Sequence, residues 1–447
     1  MKKRRVIIMT ALCLVGSLSG FSQLYQDFNL SEYITPDIVR NELDFTLKSA
    51  GSFDDGEGSD NDVKGFNGSL GNVFKRYKNT RSFWSTQTAS ADFAGSYQND
   101  YGLKNSHYDI SLLYVNTSRY YKQNNSFFEI GAYLRGGLAG SKETTPGSVT
   151  QKNHTNTVYA ALPLHVGKGR IEQVEDARQA IYILENLSKR GVLTRKLTDA
   201  EIHSFAQTIS TVKNKRFFDS RLRMIDEIST VDSFLVKNNF LASGGATYFT
   251  TLYDYWMYGD LFERGSGSVF SAGITPSFGY DEFEQSVSRN RSETSVKADV
   301  SFTYEKPVNL YWQRSAYAEV YGTYGYIRND YETLTKYNSY RAGLSGKYGW
   351  GYYPTSRTNI NFGVQENIYW SKLKTIDESP ALSNALLTSV SSAFVDLYYY
   401  ISPQLRFSAT ANLGLLYNRR LEDDSLTDKD YLRWNGNFMA TLTYSLF

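Results

Sequence analysis

The last part of the chain alternates strictly. Leu432, Trp434, Gly436, Phe438, Ala440, Leu442, Tyr444 and Leu446 fall on one face of a two-residue period. Arg433, Asn435, Asn437, Thr441, Thr443 and Ser445 fall on the other. Leu405, Phe407, Ala409, Ala411, Leu413, Leu415 and Tyr417 repeat the pattern against Arg406, Ser408, Thr410 and Asn412. So do Val296 to Tyr304, Tyr340 to Tyr348 and Phe128 to Leu138. Successive side chains point to opposite faces only in a strand. These runs exceed the common strand length of about five or six residues and reach the roughly 9–11 that cross a bilayer at a tilt.

Applied along the chain, the pattern predicts strands near 40–51, 66–77, 80–97, 106–119, 126–140, 154–166, 268–283, 292–305, 308–327, 337–350, 355–371, 388–401, 404–418 and 431–447. That is about fourteen, an even number, as a single-chain bacterial barrel requires. Connections at Gln123-Asn125, Lys306-Pro307 and Ser402-Pro403 are short, whereas 52–65, 141–153, 373–387 and 419–430 are long and polar. Short turns on the periplasmic side and long loops outside are the asymmetry of such barrels. The fold expected is an all-β transmembrane barrel of antiparallel strands, about six in 23–166 and about eight in 241–447.

Between the halves, 167–240 changes period. Ala177, Ile181, Leu184 and Leu187 recur at helical spacing, with Gly191 as a C-cap. Thr198 and Glu201 form a capping box ahead of Ile202, Phe205, Ile209 and Val212, and Leu222, Ile225, Ile228 and Phe234 make a third stripe. Helices are not available to the lipid-facing wall of a barrel. This insertion is therefore either a plug in the lumen or a small periplasmic bundle, and the periplasmic bundle is the favoured expectation. The aromatic run Tyr248 to Tyr258 that follows suits a membrane interface, or a core joining insertion to barrel.

Composition fits the pattern. Aromatic residues make up 15 % of the 447, with 36 tyrosines, and there are 34 glycines against 8 prolines. Mean hydropathy is −0.43, as expected when lipid-facing and water-facing residues alternate. Net charge is only +2, which gives no reason to expect a nucleic-acid partner. Lys2, Lys3, Arg4 and Arg5 precede the apolar stretch Val6 to Leu18, and Gly20-Phe21-Ser22 offers small residues. Residues 1–22 thus read as a cleaved signal peptide, leading to a bacterial outer membrane. The only cysteine, Cys13, falls inside it.

The C-terminal strand resembles that of Gram-negative outer-membrane barrels of the porin-like class. There a final alternating strand ending in an aromatic residue is read by the barrel-assembly machinery. The matching positions are Phe438, Leu442, Tyr444 and Phe447, the last one residue out of phase. The resemblance implies location and fold, with outer-membrane lipids and the assembly machinery as partners, and no substrate. The strand number also resembles that of hydrophobic-compound transporters, but only Gln23 to Val39 precede the first strand, which is short for their hatch.

Candidate chemistry is sparse. His107, His154, His165 and His203 show no metal-ligand spacing, and no phosphate loop or nucleophile elbow is present. The acidic stretch Asp54 to Asp62 lacks the spacing of a calcium loop. No catalytic residue, metal or cofactor is expected. A lipid-modifying enzyme built on His107 or His154 is the weakest reading. The water-facing phase instead supplies candidate lumen residues of both signs: Glu129, Arg135, Lys297, Asp299, Glu319, Arg341, Lys347, Asp396, Arg406 and Arg433. Two functions fit. One is porin-like passage or binding of small solutes. The other is a membrane anchor whose periplasmic helices recruit a protein, with Lys213, Lys215 and Arg216 as the candidate docking patch.

Overall fold

In the computed structural model the described residues are 25–444 apart from 26, 55–62, 101, 215–223, 243, 259–262, 286–287, 332, 377–382, 403–404 and 422–429. Among these residues one antiparallel sheet holds fifteen strands. They are β1 Ile38–Asp54, β2 Val63–Asn79, β3 Phe83–Asp100, β4 Leu103–Tyr121, β5 Ser126–Thr144, β6 Gln151–Ala161, β7 Leu164–Gln173, β8 Gly265–Glu284, β9 Ser288–Pro307, β10 Trp312–Tyr331, β11 Thr333–Thr355, β12 Thr358–Thr375, β13 Ser383–Tyr400, β14 Leu405–Arg420 and β15 Tyr431–Tyr444. Four described α-helices interrupt them: α1 Glu175–Lys189, α2 Asp199–Asn214, α3 Met224–Lys237 and α4 Ala246–Tyr258.

The fifteen strands occupy fourteen positions. β6 and β7 lie end to end between β5 and β8, and both keep one register: Ala161 pairs with Ser277 and Leu164 with Ile274. Pro163 has no N–H to give the ladder. Its carbonyl still accepts from Gly131 N at 2.7 Å, and Leu162 N donates to Pro276 O. One long strand is therefore only nicked at Leu162-Pro163. Among the described residues no pairing joins β1 to β15.

The pattern of exposure inverts that of a soluble protein. Phe45, Leu47, Leu112, Leu134, Val320, Leu344, Val364 and Leu413 all point outward and are exposed. Laid flat, fourteen strands about 4.8 Å apart would span roughly 60 Å. A helix of sixteen residues is only about 24 Å long. Yet the helical region touches the sheet from β1 to the end of β13. The sheet is therefore curled into a barrel, with the small bundle against its short-turn end.

Aromatic girdles mark both edges of the outer apolar band. At the short-turn end Trp312 packs on Tyr352 at 4.5 Å and on Trp350 at 5.9 Å. At the other end Tyr324 meets Tyr340 at 5.3 Å. Trp312 and Tyr324 lie on one strand at a separation of about 30 Å along a tilted axis, the thickness of a hydrocarbon core.

The strands run further than alternation predicts. β9 begins at Ser288 and β11 at Thr333, each four residues before the predicted start, and Asn290 is already paired, with Glu282. Beyond the lipid both faces are wet, so periodicity fades while the ladder persists. The helical region also runs further, to Tyr258, because the aromatic run after 245 folds as α4.

The core lies in the bundle. α1 is central, with Ala177, Ile181, Ile183, Leu184 and Leu187 fully buried. Phe205 of α2 stacks on Phe234 of α3 at 5.3 Å, and Leu252 and Trp256 of α4 are inaccessible. The expected capping box is made, with Thr198 N donating to Glu201 Oε2 at 2.8 Å. Gly191 adopts φ +67° at the end of α1. The segment before β1 adds Tyr25, Phe28, Leu30 and Tyr33 to the same core.

Candidate functional site

The pairing register determines which side chains share the inner face. Glu129 is opposite Arg119 on β4 and opposite His165 on β7. His165 is opposite Gly273, and Gly273 is opposite Asp299. Continuing the ladders puts Arg135, Lys297, Glu319, Arg341, Lys347, Asp396, Arg406 and Arg433 on this face as well.

Four of the ten predicted residues meet in one chain of ion pairs. Arg119 Nε donates to Glu129 Oε2 at 2.6 Å. His165 Nδ1 lies 3.4 Å from Glu129 Oε1, and its Nε2 lies 3.2 Å from Asp299 Oδ2. Lys297 reaches Asp299 at 3.7 Å and also pairs with Glu319. The chain spans β4 to β10 and links the two halves of the barrel. Glycine at 273 makes room, since a Cβ there would sit 2.4 Å from the His165 ring. Arg119 is further held between the rings of Trp84 and Phe127, each 4.9 Å away.

The other predicted lumen residues stand apart from this chain. Arg341 lies over Tyr369, Lys347 over Phe394 and Arg406 over Tyr400. Arg135 lines a separate recess with Tyr159 and Asp281. Asp396 pairs in register with Thr410, and Arg433 is exposed on β15. Arg119 and His165 were not picked out from the sequence. Arg119 ends an alternating run, and His165 gains its meaning only through β5–β7 pairing.

At the short-turn end the bundle seats on the rim. Arg264, just before β8, donates to the carbonyls of Asn309, Leu310 and Trp312 and to Gln313 Oε1. Burial, and next the charge of Arg178, push its pKa down to about 10. Arg178 and Arg264 flank the ring of Tyr353 at 5.4 and 4.9 Å. Arg357 pairs with Asp254 of α4, and Tyr258 packs on Tyr400 at 5.1 Å. On the other side Arg81 pairs with Glu172 at 2.9 Å, while its second nitrogen donates to Thr35 O.

Two glycines set the junction between wall and bundle. Gly169 has φ +106° and Gly267 φ +132°. A Cβ on either would lie 2.0 Å from a carbonyl oxygen of the facing strand, Ser268 or Arg170. Only glycine allows both that backbone and that approach.

The predicted docking lysine is not presented outward. Lys213 Nζ bonds Asp176 Oδ1 at 2.7 Å with its side chain largely covered. Ser210 donates to the other oxygen of Asp176, and the Tyr33 hydroxyl lies 3.0 Å from Ser210 Oγ. Beside them burial, and next the charge of Asp176, raise Glu175 to about pH 7. Lys215 and Arg216 lie outside the described residues. Of the predicted insertion signal, Phe438, Leu442 and Tyr444 share the exposed outer face of β15, and Phe447 lies outside the described residues. Among the described residues no cluster of three metal-binding side chains occurs. His107 is on the inner face, and His154 Nδ1 lies 2.9 Å from the hydroxyl of outward-facing Tyr108.

No family model matches the chain, and no curated protein matches it. Among solved structures it is similar to the translocator domain of autotransporter NalP from Neisseria meningitidis, at 9 % identity and a TM-score of 0.27, covering 87 % of this chain and 95 % of that one. It is also similar to CdiB from Acinetobacter baumannii, at 9 % identity and a TM-score of 0.23, covering 90 % of this chain and 60 % of that one.

Proposed function

We propose that this chain is a porin-like outer-membrane barrel that binds or passes small solutes through its polar lumen, with the helical bundle closing the periplasmic mouth. The observation that carries this reading is the position of α1. It lies buried among the other helices and the ring of short turns, with Arg178 over the Tyr353 ring and the Tyr182 hydroxyl donating to Tyr353 O, while Arg357 holds α4 through Asp254. The far end of the inner face supports the same reading. There Asn67, Ser96, Asn105, His107, Ser141, Asn153 and the charged Glu143 line a polar cavity of about 550 Å³, with Lys142 at its border. Such a lining suits small polar solutes. The charged N-terminus and apolar stretch support export, and the outer face of β15 supports delivery by the assembly machinery.

Planar-bilayer recording of the full chain and of a form with 175–258 replaced by a short turn tests the proposal. Rare or small openings in the full chain and a steady current in the shortened one are expected. The double variant Asp254→Asn with Arg357→Gln, which keeps the bundle, should open more often than the parent. A shortened barrel that folds but carries no current would contradict passage. It would favour the second reading, a membrane anchor for a partner-binding module. The exposed stripe Phe249, Tyr253 and Met257 on α4 is what supports that alternative.

A further inference from the structure

Outward-facing lysines crowd one sector of the barrel at the long-loop end. Lys64, Asn99 and Lys104 follow one another in register across β2, β3 and β4. Lys104 is opposite Thr144, so Lys142, two residues away on the same face of β5, is its diagonal neighbour. Lys142 is directly opposite both Ser106 on β4 and Lys152 on β6. All four lysines are exposed. Opposite like charges on adjacent strands repel, at a cost of a few tenths of a kcal/mol or more.

Phe66, Tyr97 and Tyr108 lie one pleat toward the midplane on the same outer face, each exposed. Tyr108 bonds His154, two residues below Lys152. The lysines therefore stand just above an aromatic girdle, at the height of lipid headgroups. Lys142, Lys152, Ser106, Tyr108 and His154 border a cavity of about 470 Å³ there, with Glu284 of β8 at its far side. On the outer face of β2 to β6 in this stretch the described residues include no carboxylate. The nearest are Glu284, opposite His154, and Glu282, which accepts from Asn156 at 2.8 Å.

We infer that Lys104, Lys142 and Lys152 bind the phosphate groups of a phosphorylated glycolipid in the surrounding leaflet, with its acyl chains against Phe66, Tyr97 and Tyr108. A row of ammonium groups over a row of rings matches an anionic head above hydrocarbon. The lipid also relieves the Lys142–Lys152 repulsion. The inference rests on the proposed membrane placement but goes beyond it, since a barrel needs no such basic sector to be inserted.

The test uses the full chain in neutral detergent, with diphosphorylated lipid A as the probe and its dephosphorylated counterpart for comparison. Native mass spectrometry counts retained lipid. Heat-shifted gel mobility reports whether each variant is a folded barrel. The triple variant K104Q/K142Q/K152Q should weaken retention of the phosphorylated lipid at least tenfold. The control triple R76Q/K78Q/K306Q, at the other end, should not. Equal retention by the parent and the lysine triple variant would overturn the inference. So would equal retention of the two lipids by the parent. Displacement by inorganic phosphate at its own weak affinity would instead reveal a free-anion site and overturn the lipid assignment. If the lysine triple variant loses its heat shift, K142Q and K152Q made singly keep the test, each expected to weaken retention severalfold. A parent with no heat shift at all would mark failure of the membrane placement, which is a separate outcome.

Discussion

The guanidinium of Arg264 stands 4.9 Å from the ring centre of Tyr353, joining the residue before β8 to β11. Arg264 is almost wholly buried and its charge is spread over three main-chain carbonyls. Removing the group takes the donor from the buried Leu310 carbonyl, while Trp312 O keeps Val308 N. Arg264→Gln should destabilise the seat of the bundle by about 3 kcal/mol. Limited proteolysis between α2 and α4 should then become faster while the barrel keeps its heat-shifted mobility.

The bundle should respond to pH through Glu175. Its pKa in the folded protein, about 7, lies above the ordinary 4.5, so folding favours the protonated form. The stabilising contribution is complete below about pH 4.5 and is lost as pH rises through 7. Asp176, Lys213 and Arg178 surround the group. Thermal unfolding of the bundle should therefore occur at higher temperature at pH 5 than at pH 8, and Glu175→Gln should flatten the difference.

His165 separates two carboxylates on the inner face. His165→Ala would leave Glu129 and Asp299 facing a void between β5 and β9. A loss of about 2–4 kcal/mol is expected. It should be read as a lower temperature for the gel-mobility shift. Replacing Arg135, which stands outside this chain of ion pairs, should cost less than 1 kcal/mol or so.

Gly169→Ala forces a methyl group against Ser268 O in a backbone region that disfavours side chains. A cost of about 2 kcal/mol or more is expected. Gly136→Ala, in open space, should be close to neutral by the same assay.

The strand faces were legible because burial in lipid imposes a two-residue rule on every crossing, as Leu405 to Tyr417 and Leu432 to Tyr444 illustrate. The rule stops where the lipid stops, so the paired starts of β9 near Asn290 and of β11 near Thr333 left no periodic signal. β7 was hidden in part because Gly167, Gly169 and Pro163 punctuate it like a loop. In α4 the buried Tyr248, Leu252 and Trp256 do recur at helical spacing, yet the surrounding tyrosines read equally well as a girdle. The seat of Lys213 could not be read locally, since its partner Asp176 is 37 residues away on another helix. The same holds for His165 and Asp299, brought together over 134 residues by the sheet.

Spin labels placed one at a time from Arg341 to Tyr348 on β11, in lipid bilayers, test the central claim most directly. Oxygen dissolved in the lipid should reach positions 342, 344, 346 and 348. A water-soluble nickel chelate should reach 341, 343, 345 and 347. Uniform accessibility along the strand, or access of the chelate to position 344, would contradict a water-lined barrel in a membrane.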